Sequence, residues 1–142
     1  SGAQNAEKKT TTLTVEAYST SRTLPEACGG GDYVFQGNIL LKTEVLFNET
    51  GGMDVSIQSD HRNYEGLPPG GTPKVSGQEI AEIKYSNSSV ESFEWPRIED
   101  FNVQSADGSR KIQVHLRWLF SVSSGGDFSA QLQDVSVECG TT

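Results

Sequence analysis

The stretch KIQVHLRWLFSVS, residues 111–123, decides the fold class. Ile112, Val114, Leu116, Trp118, Phe120 and Val122 take alternate positions, with Lys111, Gln113, His115 and Arg117 between them. A pleated strand sends successive side chains to opposite faces, so this period of two predicts a long half-buried β-strand. The same alternation recurs in TTLTVEAYST (11–20) through Leu13, Val15 and Ala17, and in GGMDVSIQSD (51–60) through Met53, Val55 and Ile57. In DFSAQLQDVSVEC (127–139) the apolar face carries Phe128, Ala130 and Leu132, then slips to Val135, Val137 and Cys139. A change of phase inside one strand predicts a β-bulge near Gln133 and Asp134.

The connections point the same way. FNETGGMDV (47–55), QSADGSRKI (104–112) and SVSSGGDFS (121–129) each put Gly with Asn, Asp or Ser between two alternating runs, as hairpin turns require. YEGLPPGGTPKVSG (64–77), with its paired prolines and glycines, reads as a loop. In QEIAEIKY (78–85), Ile80 and Ile83 at helical spacing give barely two turns and no cap, so the segment reads as a strand. The expectation is an all-β chain of roughly seven to nine mostly antiparallel strands with long hairpins. A β-barrel suits long neighbouring strands because closure removes exposed edges; a two-sheet β-sandwich is the alternative.

The chain has 142 residues, the size of one domain, and a net charge of −8. That charge, with Lys8, Lys9, Arg110 and Lys111 scattered, argues against a nucleic-acid partner. No apolar run approaches membrane-spanning length and no signal peptide is recognised. The opening SGAQNAEKKTTT is polar and small, so residues 1–11 are expected to be a disordered leader and 12–142 a single β-domain.

Only two cysteines occur, Cys28 and Cys139, each followed by glycine and each at the end of an expected strand. Their placement predicts a disulfide tying the start of the main sheet to the last strand. Closing so long a loop stabilises a fold by about 4–5 kcal/mol on the chain-entropy model. Pairing implies an oxidising compartment, hence a secreted, periplasmic or cell-surface protein.

These residues also carry a resemblance. PEAC (25–28) leading into GGGDYVFQG (29–37), then NETGGMDV (48–55), YEGLPPGG (64–71), IEDFNV (98–103) and VSVEC (135–139) follow one another in a distinctive order. In that order the chain resembles, from roughly residue 12 to 139, a family of small exported bacterial all-β proteins with no assigned activity. The family's usual Asn-Pro-Cys is replaced here by Glu26-Ala27-Cys28, and the central loop carries extra prolines. The resemblance implies export and one β-domain, and implies no reaction.

Chemistry-bearing motifs are sparse. His115 falls on the polar face of its strand, and His61 sits between Asp60 and Arg62, whose side chains point to the opposite face in a strand. No nucleophile elbow, metal-ligand spacing or helix-opening phosphate loop is present, and Glu99-Asp100 reads as a solvated pair. No catalytic residue, metal or cofactor is expected. The aromatic residues carry more. VESFEWPRIEDF (90–101) supplies Phe93, Trp95 and Phe101, and Pro96 is expected to end or bulge the strand beside Trp95. Core packing is one account of these rings. The other is an apolar ligand-binding pocket whose rim is formed by Trp95, with Tyr85 and Trp118 as further candidates. The leading functional reading is an exported non-catalytic barrel that binds a small apolar ligand or a surface component. A small barrel enzyme of isomerase or cyclase type and a structural or adhesion module are the alternatives.

Overall fold

The computed structural model describes residues 8–49, 51–89 and 91–140. Among these described residues nine strands follow in chain order: β1 (Lys8–Thr23), β2 (Asp32–Phe47), β3 (Met53–Asp60), β4 (Tyr64–Leu67), β5 (Val75–Gly77), β6 (Ile80–Asn87), β7 (Phe93–Ser105), β8 (Lys111–Val122) and β9 (Phe128–Cys139). The only helical element among the described residues is a 3-10 turn at Glu26–Cys28. The fold is all-β, and every strand pairing is antiparallel.

The alternation that predicted β8 appears as burial. Ile112, Val114, Leu116, Trp118, Phe120 and Val122 are all buried and the residues between them are not. The three Gly-containing turns are hairpins: β2–β3, β7–β8 and β8–β9. Between β8 and β9 the register steps from Arg117↔Asp134 to Trp118↔Leu132. Gln133 is thus the extra residue of a bulge, at the point where the apolar phase slips.

β2 is the spine. β1 pairs with it from Asp32 to Leu46 on one side, with a register shift between Ala17 and Thr20. On the other, β3 takes the half from Leu40 to Phe47 and β4 the half from Val34 to Gly37. The break between β3 and β4 faces Gly37, whose φ is +130° and where a Cβ would lie 2.1 Å from the Asn63 carbonyl oxygen. Only glycine lets the bent neighbour approach so closely. β5 and β6 repeat the split, with β5 between β4 and β7 while β6 lies beside β3.

One continuous sheet results, and its hydrogen-bonded path does not close: β6 and β9 are its two ends. β1 nevertheless comes alongside β9. Arg22 Nε donates to the Val135 carbonyl at 2.8 Å and its guanidinium lies 3.5 Å from Asp134. Below them the Cys28–Cys139 disulfide, with Cα atoms 5.3 Å apart, ties the turn after β1 to the end of β9. The bridge expected from the cysteine placement is present.

Two boundaries differ from the sequence reading. β1 begins at Lys8, so residues 8–11 of the expected leader belong to the strand; Thr11 and Lys9 pair with Thr43 and Val45. Residues 1–7 of that leader lie outside the described residues. The stretch 64–77 is not all loop, because β4 and β5 form its two ends and only 68–74 connects them. Tyr64, Gly66, Val75 and Gly77 alternate inward there, and a side chain at Gly66 would meet the Phe35 ring at 2.6 Å. The paired glycines Gly70 and Gly71 do lie in the connecting loop, whereas Gly66 and Gly77 are the small residues of a tightly packed sheet.

Candidate functional site

β7 continues through Pro96, which pairs with Leu119 in unbroken register. The expected break is absent: the strand is an edge at that point, with only β8 as a partner, and edge strands are where a sheet accommodates proline. The strand therefore keeps one parity from end to end. Trp95, Glu99, Phe101 and Val103 all lie buried on its inner face.

Trp95 and Tyr85, two of the three proposed rim residues, are brought together. Their rings stack at 4.3 Å with 9° between planes, and Phe93 lies 5.2 Å from Trp95 and 5.4 Å from Tyr85. Tyr85 comes from β6, so these rings bridge the place where the sheet is open. The third proposed residue, Trp118, is not on a rim. It is wholly buried, reached from Trp95 through Phe120, at 5.5 Å and then 5.4 Å between centroids.

The ring series ends on a buried polar cluster. Trp118 Nε1 donates to Glu99 Oε1 at 3.0 Å, and Ser59 Oγ donates to the same oxygen at 3.1 Å. Ser59 Oγ also lies 3.0 Å from His61 Nε2, which is 3.1 Å from Glu99 Oε2. The His61 ring lies flat on Phe101, 3.8 Å away with 1° between planes. Ser59 and His61 have no exposed surface and Glu99 is 4% exposed. With the proton on Nε2, His61 donates to Ser59 and Ser59 donates to Glu99, and each donor is used once. Glu99 Oε2 lies close to the imidazole without hydrogen-bond alignment; it, His61 Nδ1 and the Tyr64 hydroxyl have no hydrogen-bond partner. Burial pushes the Tyr64 phenol upward.

Serine, histidine and a carboxylate in contact invite comparison with nucleophilic catalysis. A working triad places the serine and the acid on opposite ring nitrogens, so that one orients the base for the other. Here both crowd Nε2, and Nδ1 faces neither. The cluster instead ties β3 to β7 and β8 through the centre of the fold.

Sequence reading placed Glu99 in solvent beside Asp100, and the structure corrects this: Glu99 points inward and Asp100 outward. The signal was parity, since Glu99 lies an even number of residues from both Trp95 and Phe101. Likewise Ser59 and His61 continue the inward series Met53, Val55 and Ile57. The neighbours Asp60 and Arg62 form a separate surface pair at 2.8 and 2.9 Å, and the Arg62 hydrogen bond takes the Asp60 carboxyl down to about 2.

The second histidine lies on the outer face. His115 Nδ1 is 2.5 Å from Asp100 on β7, and its Nε2 is 2.9 Å from Glu138 on β9. The Asp100 hydrogen bond, then that of Glu138, raises its pKa against the opposing effect of partial burial. Among the described residues, no group of three or more His, Cys, Asp and Glu is disposed to hold a metal ion, and no helix is long and apolar enough to cross a membrane. Comparison with family models, curated proteins and solved structures finds no match to this chain.

Proposed function

We propose that this protein is an exported, non-catalytic β-domain that works by contact with another surface component. The observation that supports this reading is how the inner positions are used. Trp95 is covered by Tyr85, Phe93 and Phe120, and Trp118 is committed to Glu99, so the candidate ligand-binding rings pack against one another. The Ser59–His61–Glu99 group lacks both the geometry and the exposure that substrate would need. Export is supported by the Cys28–Cys139 bridge and by the resemblance to exported bacterial β-proteins.

Titration of the native protein with 1-anilinonaphthalene-8-sulfonate and with fatty acids, followed by tryptophan fluorescence, tests it. No saturable quenching is expected. Saturable quenching that Trp95→Ala removes, with the far-ultraviolet circular dichroism unchanged, would replace this reading with an internal apolar-ligand site. Thiol titration of denatured, unreduced protein from its natural host should find no free thiol. Two titratable thiols would remove the argument for export.

A further inference from the structure

We propose that the free edge of β6 pairs with β6 of a second copy of this chain, antiparallel and centred on Ile83. β6 is hydrogen-bonded to β3 on one side, and among the described residues no strand pairs with its other side. An unpaired edge presents a row of N–H and C=O groups that templates another strand. The neighbouring free edge, that of β7, is blunted by Pro96, which offers no donor. β6 contains no proline, and Ile80 at its start is 48% exposed.

The charge pattern selects both the partner and the register. The outward face of β6 reads Ile80, Glu82, Lys84, Ser86, all exposed. An edge of one sign would repel a second copy. Glu82 and Lys84 are opposite in sign and symmetric about Ile83, so a two-fold axis through Ile83 sets each glutamate against the other copy's lysine. In the same register Ile83 faces Ile83, Ala81 faces Tyr85, Ile80 faces Ser86 and Glu79 faces Asn87, with no like charges opposed. Sliding two residues one way opposes Glu82 to Glu82, and the other way Lys84 to Lys84; like charges directly opposite destabilise a sheet. Within one chain Glu82 and Lys84 lie 3.7 Å apart and are largely exposed, so exchanging partners sacrifices little. The pairing is isologous, as a two-fold dimer requires. It stands apart from the external-contact reading, since self-association through β6 leaves the other surfaces free.

Sedimentation velocity over a concentration series tests the proposal. Wild type should show a reversible monomer–dimer equilibrium. Lys84→Glu and Glu82→Lys, each alone, should weaken dimerisation at least tenfold, because each sets like charges opposite one another. Mixing the two variants should restore a dimer, since the paired glutamates of one variant then face the paired lysines of the other. The doubly exchanged chain, Glu82→Lys with Lys84→Glu, should dimerise like wild type. Recovery in the mixture also shows that both single variants fold. A wild type that stays monomeric at every concentration, single variants that dimerise unchanged, or a mixture that fails to recover would each overturn it.

Discussion

The two histidines of this chain have nearly the same partners and opposite roles. His61 and His115 each lie against a carboxylate from β7, Glu99 for one and Asp100 for the other, one residue apart in sequence. The pleat sends the first pair into the core and the second to solvent. Inside, the neighbouring groups have no water to fall back on, so each lost partner leaves an unsatisfied polar atom in a medium that penalises it. Outside, water and salt replace whatever is removed. The same residue types therefore hold the fold together on one face and adjust surface charge on the other.

Trp118 and Arg117 alternate between these two faces and offer the sharpest test of the difference. Trp118→Ala removes a buried ring and a donor to Glu99 together, and should cost about 3–5 kcal/mol or more. Arg117→Ala, on the outer face, should stay within about 0.5 kcal/mol. Equal shifts in denaturation midpoint would erase the distinction between the faces.

Glu99→Ala strands the Trp118 N–H and the Ser59 hydroxyl at once and should cost about 1–3 kcal/mol for each of these two orphaned donors. Glu99→Gln retains an acceptor for Trp118 and should lose clearly less. Urea denaturation of the two variants side by side measures the gap; no difference would mean that the carboxylate is not the centre of the cluster. Ser59→Ala, which removes only the relay between His61 and Glu99, should cost about 1–3 kcal/mol by the same assay.

The smallest effect belongs to the outer histidine and depends on pH. Its folded pKa is raised, so its stabilisation is fully present below the unfolded value near 6.5 and is lost as pH rises through the folded value. Asp100→Asn should therefore lower the midpoint at mildly acidic pH, by less than about 1 kcal/mol, and converge on wild type in alkali. A deficit that grows with pH would reverse the assignment.

Most of the fold was legible because its signals are local. Alternation in 111–122, the phase slip at Gln133 and the Gly-bearing turns each depend on a few consecutive residues and the covalent pleat of the backbone. The strand at 64–67 was obscured because Gly66 and the prolines after it signal a turn. Its partners, Val34 to Gly37, lie some thirty positions earlier, and only they show that the small residue fits under Phe35. Pro96 misled for a related reason: whether a missing N–H matters depends on whether a second neighbouring strand exists.

The sequence by itself determined the all-β class, the hairpins, the inner faces of β1, β3, β8 and β9 and the two cysteines that form the bridge. Tertiary structure alone decided that Ser59 and His61 meet Glu99, that Trp95 stacks on Tyr85 while Trp118 lies deeper, and that the sheet is left open at β6. The physical reason is range. Which face a side chain takes follows from its position along one strand. Which side chains meet depends on how strands far apart in sequence are ordered and aligned, and that is settled by burial and polar pairing across the whole sheet.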